Sequence, residues 1–345
     1  MSEFRIDQIT NQSGSRGPDI AGITTFTGTS GMVMPSGPTE YRGGRGRGLF
    51  LQGRPNSPAL NSNIIDYVTI ATLGNAQDFG DLSKASLGGT ALASSTRGLS
   101  ATGYNAPTQD NIIDYITISS TGNAFDFGDL TTILSYSSAC SSSTRGLFTN
   151  GMQDIPANVY NSTINAVTIA SKGDAFDFGD VTLARRSSNN GISNGTRGVF
   201  GGGAIPPTNY NIIDYVTITT TGDAQDFGDL LEPLGNISSC SNSVRGLYGG
   251  GGNPSAVNTI QYITIASIGD AIDFGDLSAA RYFFASACAS SIRGLFGGGN
   301  EAPARVNTID FVTIASTGNA SDFGDLTVGR DGPAACSDVH GGLGD

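Results

Sequence analysis

The chain has 345 residues, 50 of them glycine, a single histidine (His340), no tryptophan, and 18 basic against 30 acidic side chains for a formal net charge of −12. One histidine close to the C-terminus excludes a His-dependent triad, a multi-His zinc site and a haem pocket. Two lysines (Lys84 and Lys172) beside 16 arginines in so acidic a chain argue against sequence-independent binding to nucleic acid and to anionic membranes, which need basic patches.

Only 14% of residues are charged, and glycine is about twice its usual ~7% share. That balance suits a β-rich protein full of tight turns and disfavours a helical bundle. No run of about 20 apolar residues is present, so no membrane insertion is expected. The N-terminus MSEFRIDQITNQSGS lacks the basic and apolar regions of a signal peptide. The four cysteines, Cys140, Cys240, Cys288 and Cys336, form no CxxC pair, and no metal ribbon is indicated.

In chain order, residues 1–46 do not repeat, and from Arg47 onward the chain is built from six units. Asp-Phe-Gly-Asp begins at Asp78, Asp126, Asp177, Asp226, Asp273 and Asp322, with spacings of 48, 51, 49, 47 and 49. A second marker, Arg-Gly followed in most copies by an apolar pair, starts at Arg47, Arg97, Arg145, Arg197, Arg245 and Arg293 and runs into glycines. The third is an eight-residue run, Asn63 to Ile70 (NIIDYVTI) in its first copy. Periods of this length define a repeat architecture.

The eight-residue run is dense in Ile, Val, Thr and Tyr and predicts a strand. Its apolar residues fall on both parities (Ile64, Val68 and Ile70; Ile65 and Tyr67), which predicts a strand covered on both faces. Arg-Gly-Leu-Phe predicts a second strand ending in turn glycines. A small-residue segment upstream of it, such as Ser137 to Thr144, predicts a strand in a crowded place, and a shorter variable piece follows each Asp-Phe-Gly-Asp. Four short strands in about 50 residues is the arithmetic of a propeller blade, and six units make a disc. The expected fold is an all-β, six-bladed β-propeller over 47–345 with a non-repeating N-terminal extension over 1–46. Its ring would be closed by the C-terminal strand, because Ala334 to Gly344 (AACSDVHGGLG) aligns with the small-residue segment that the first unit lacks, and His340 would take the place of the repeated arginine.

The ordered unit resembles the kelch repeat, in which an apolar strand ends in a glycine doublet and a bulky aromatic precedes the outermost strand. The kelch tryptophan is missing from every unit, and Phe79, Phe127, Phe178, Phe227, Phe274 and Phe323 stand in its place. The leader, with IDQITNQSG and GITTFTGTSGMVMPSG, is similar to those of structural and tail-fibre proteins of T4-like marine bacteriophages, particularly cyanophages, where repeats of this type also occur. The resemblance implies a non-enzymatic virion protein. Its leader would join other virion proteins in an oligomer or larger assembly, and its propeller would bind a host-surface glycan or another virion protein.

Candidate chemistry is sparse. The paired carboxylates Asp78 and Asp81, Asp126 and Asp129, Asp177 and Asp180, Asp226 and Asp229, Asp273 and Asp276, Asp322 and Asp325 could attract calcium, but no EF-hand-like loop accompanies them. A structural role is expected instead: each Asp accepts backbone N–H bonds or pairs with the repeated arginine, while the Phe wedges between blades. The arginines either form such ion pairs or cap carbonyls. Cysteines in equivalent positions of different blades are expected to be small apolar fillers, and neither a cofactor nor a catalytic residue is assigned. The loops between second and third strands vary most and share one face; Arg54, Tyr104, Tyr160, Tyr210 and Arg305 are the candidate contacts there. The competing readings are a purely structural, self-assembling protein and a propeller enzyme acting on polysaccharide, such as a lyase or a copper-radical oxidase relative.

Overall fold

In the computed structural model, residues 46–57, 60–101, 103–105, 109–153, 158–186, 191–282 and 285–339 are described. They form six antiparallel sheets around one axis, a six-bladed β-propeller. From the axis outward, blade two comprises Thr90–Ala93, Arg97–Ala101, Ile112–Thr117 and Phe125–Asp129. Blades three to six repeat that order.

Blade one is assembled from both ends of the repeat region. Its innermost strand is Ala334–Ser337, paired to Arg47–Pro55 with Gly48 opposite Ser337 and Leu51 opposite Ala334. The C-terminal strand therefore closes the ring. Cys336 faces Leu49 as Cys288 faces Leu295. This register gives the arginine's place in blade one to Arg47 and not, as expected, to His340, which itself lies outside the described residues, as do residues 1–45.

The innermost strands are small because they converge. Ser138–Ser141, Ser238–Ser241 and Ser286–Ala289 are buried along their whole length. Neighbouring strands are joined by hydroxyls at their last position: Ser141 donates to the Ala93 carbonyl at 2.7 Å, Ser193 to Ser141 at 2.6 Å and Ser241 to Ser193 at 2.9 Å. Each of the four cysteines is buried and free. A Cβ built on Gly48, Gly198 or Gly294 would come within 2.9 Å of the sulfur of Cys288, Cys140 or Cys240 in the preceding blade, which explains both the thiol and the glycine of Arg-Gly.

The apolar core is six layers, one at each blade junction. Between blades one and two, Leu49, Ile65 and Phe79 meet Ala91, Ala93, Ile116 and Ile118. The third strand feeds two layers, since successive side chains point to opposite sides of its sheet: Ile65 packs toward blade two, while Val68 and Ile70 pack toward blade six with Phe323. Each layer holds one motif phenylalanine.

Asp-Phe-Gly-Asp is itself the outermost strand and does not merely precede it. Opposite Ile65 and Asp66 stand Gly80 and Asp78, so Phe79 is the additional residue of a β-bulge. The same shift recurs in the other five blades. A bulge re-aims one side chain; here it turns the phenylalanine into the junction. In blades one and five the outer strand continues to Ser86 and Arg281. In blade six the variable piece carries the two-residue strand Arg330–Asp331, paired to Arg54–Pro55 of blade one, and in the other blades its described residues are connecting chain.

Candidate functional site

The repeated polar residues are occupied between blades. Beside each bulge, the turn ahead of the next motif docks on its neighbour. Gly122 N donates to Phe79 O at 2.7 Å and Ala124 N to Asp81 O at 2.8 Å. Asp81 N donates to Asn123 Oδ1 at 3.1 Å. The same three contacts recur at every junction, including Asp325 N to Asn75 Oδ1 at 3.1 Å between blades six and one. The motif aspartates thus work through their backbone. Their side chains are exposed or half-buried, with Asp177 accepting from Gly179 N at 3.1 Å and Asp180 from Ser162 Oγ at 2.8 Å.

The repeated arginines cap carbonyls; no ion pair joins them to a motif aspartate among the described residues. Arg97 Nη1 donates to Ile169 O of the next blade at 2.8 Å, and Arg197 to Ile265 O at 2.8 Å. Each guanidinium lies over an aromatic ring of its own blade, 4.7 Å from the Tyr115 centroid and 4.6 Å from that of Tyr215. This cation–π contact holds the long side chain in its capping geometry.

A second contact was not anticipated. The aspartate inside NIIDYVTI is buried and accepts from the preceding blade. Asp310 takes Ser278 N at 3.0 Å, Ser278 Oγ at 2.8 Å and Arg281 Nη2 at 2.9 Å. Asp66 pairs with Arg330 at 2.9 Å and Asp214 with Arg185 at 2.8 Å, all with fully buried side chains. Where the arginine's position holds Leu134 or Leu234, the acceptor is neutral, Asn165 or Gln261. Charge is thus buried in pairs or avoided, as desolvation demands.

One junction breaks that rule. Asp114 faces Ser83, whose N and Oγ donate to Oδ2 at 2.8 Å each, but the arginine's position is Ser86 and Asp114 Oδ1 has no partner. Burial raises its pKa above the ordinary 3.8, against the Ser83 hydrogen bonds. The Ser86 hydroxyl turns instead to the Gln52 side chain.

The other face carries the blade-specific residues. There, each blade connection bridges to the loop of the next blade: Leu87 with Tyr104, Ser135 with Met152, Arg186 with Ala204, Gly235 with Gly252, Tyr282 with Asn300, and Asp331 with Arg54. No residue type recurs along the connection side of this series. Three of the loops fold into small hairpins, such as Ala204–Ile205 against Thr208–Asn209.

The candidate contacts divide on this face. Arg54 and Arg305 converge on the buried Asp331 carboxylate, at 3.1 and 2.8 Å, and Asn56 is doubly bonded to the Arg305 backbone. They tie the loops of blades one and six across the closure. Tyr160 and Tyr210 are half-buried in their own hairpins and are brought to no common site among the described residues. Tyr104 stacks on Tyr136, with centroids 6.4 Å apart and planes 19° apart, and the Arg186 guanidinium lies 5.7 Å from the Tyr136 centroid. Tyr136 and Arg186 were missed in the sequence because their positions have no recurring residue to depart from: the places equivalent to Tyr136 hold Gly88, Ser187, Asn236, Phe283 and Gly332.

The rim offers shallower features. Hollows of about 800 Å³ in blade one and 650 Å³ in blade four are lined by Arg47, Tyr67 and Gln77 and by Arg197, Tyr215 and Gln225. The tyrosine hydroxyl donates to the glutamine in each, at 2.6 Å. Among the described residues no group of three or more His, Cys, Asp or Glu side chains could hold a metal ion.

Fold and site together define a closed six-bladed β-propeller with a construction repeated in every blade on one face and blade-specific residues on the other. Compared with known proteins, the chain matches no protein-family model and none of the curated proteins.

Proposed function

We propose that this chain is a non-enzymatic structural protein of a phage virion, a tail-fibre, appendage or surface-decoration module. Residues 1–46 anchor it to other virion proteins and its propeller engages a host-surface glycan or a second virion protein. The observation that carries this reading is the division of labour within the disc. The sixfold-repeated polar residues are consumed in joining blades, and the residues that differ between blades collect on the loop face, where recognition surfaces on rigid scaffolds lie. The likeness of the units to kelch repeats, and of the leader to those of marine phage fibre proteins, supplies the virion context. Deleting residues 1–46 is expected to leave a folded propeller that no longer enters virions. Unchanged incorporation in a complementation assay would overturn the anchor role.

A purely structural, self-assembling protein is the second reading. It is favoured by Val244, Ile268, Ile272 and Ile292, large apolar residues of blades five and six that are 57–64% exposed. Concentration-dependent association in sedimentation, lost on Ile292→Asp, distinguishes it.

A further inference from the structure

Among the described residues, one arginine stands apart. Arg47, Arg97, Arg145, Arg197, Arg245 and Arg293 cap carbonyls. Arg54, Arg185, Arg281, Arg305 and Arg330 meet carboxylates. The Arg186 guanidinium meets neither, and its Nε is buried with no acceptor. Among the described residues it meets no anion, and it is held at the end of the row Tyr104, Tyr136, Arg186 on the loop face.

The middle member of that row is held against its own preference. Tyr136 has φ +55°, a left-handed conformation that costs a bulky residue energy and that glycine takes freely. Gly88, Asn236 and Gly332 hold the same place with φ +64°, +57° and +67°, the residue types that take it most readily. The connection therefore admits glycine there, and a tyrosine is retained at a cost. Residues kept in such conformations cluster at ligand sites.

We propose that Tyr104, Tyr136 and Arg186 bind a carboxylated sugar residue of a surface glycan. This rests on the glycan arm of the proposed function and assigns it a place and a charge. Two half-buried phenol rings stacked on one another, with the guanidinium over Tyr136, gather aromatic surface of low conformational entropy cost beside a cation, suited to the C–H face of a pyranose. The guanidinium, paired with no acid among the described residues, offers its fork to a carboxylate. The net charge of −12 does not forbid an acidic ligand, because screening at physiological salt confines such fields to roughly 8 Å.

The test uses the full-length protein on arrayed oligosaccharides bearing uronic or sialic acids and on their neutral counterparts of the same linkage. The carboxylated members are expected to be retained and the neutral ones not. Arg186→Gln is expected to weaken retention at least about tenfold, Arg186→Lys to recover part of it, and Tyr104→Ala to weaken it with the fold intact by circular dichroism. Retention of neutral glycans alone, or retention of acidic ones unchanged in Arg186→Gln, overturns this site while leaving the glycan reading standing. Failure to retain any glycan overturns both.

Discussion

Gly228 shows how much one position of the repeat must satisfy. Its φ is +143°, and a Cβ there would stand 2.6 Å from the Gly269 carbonyl of the next blade. Bulge geometry and blade docking both demand glycine. Gly228→Ala is expected to lower stability by about 3 kcal/mol, from backbone strain together with overpacking; denaturant melts with an unchanged m-value would measure it. Asp114 makes the opposite case, a residue that costs stability. A carboxyl whose folded pKa lies above its unfolded value is penalised once ionised. The penalty is absent at pH below about 3.8, where both states are protonated, grows as pH rises toward the folded pKa, and is complete above it. Asp114→Asn copies Asn165 of blade three, which accepts Thr131 N at 2.9 Å. It is expected to raise stability by about 1 kcal/mol at pH 7 and to change nothing at pH 3. Equal melting shifts at both pH values would refute this account.

At the scale of the strand, position in the blade governs composition. Four of the inner strands are built of Ser, Ala and Cys alone because six of them converge on one axis, and their hydroxyls bond to neighbouring backbones. The second strand carries the aromatics that lie over a glycine of the preceding blade: Cβ atoms on Gly201, Gly249 and Gly297 would fall 2.7–2.8 Å from Tyr248, Phe296 and Phe50. The third strand is apolar on both sides because each side lines a different junction. The outer strand bends at its bulge, so the phenylalanine packs inward while the flanking aspartates face outward. This exposed charge along the edge discourages edge-to-edge pairing of blades with other chains. The inner three strands of each blade were legible from these compositions, whereas the outermost was expected after Asp-Phe-Gly-Asp and is that motif itself. The bulge was not legible, because it depends on pairing between Ile65 and Gly80 that only the sheet establishes.

For the whole molecule, closure is the decisive event. Every junction is built from the same parts, and the one between blades six and one joins residues about 250 apart: Asp325 N to Asn75 Oδ1, Arg293 to Ile70 O, Thr327 N to Asp66 Oδ2. Removing residues 334–345 would strip the inner strand from blade one, exposing the Gly48 to Leu51 edge that Ala334–Ser337 now covers. An unpaired apolar edge is a template for association. The truncated chain is expected to aggregate and to lose the cooperative melt of the full chain; a monodisperse species with an unaltered midpoint would show that the ring closes without it.

The sequence by itself determined the repeat, the number of blades, the inner three strands of each blade and the closing segment. These follow from period and composition, which are local properties of the chain. It also marked the repeated residues as structural, though it offered two partners for the arginines and only the fold chose the carbonyls, because Arg97 and Ile169 meet across a junction 72 residues apart in the chain. The Asp–Arg alternation at the junctions was written in the sequence but had no meaning until Asp310 and Arg281 were seen to face one another. Tertiary structure alone decided which loop residues are free. Arg54 and Arg305 are neutralised by Asp331, which neither could reach within its own unit. Among the described residues Arg186 is left without an anion, its guanidinium over Tyr136, on which Tyr104 of the same neighbouring blade stacks. A cation's availability depends on what the folded chain places within hydrogen-bonding distance, and no local pattern encodes that.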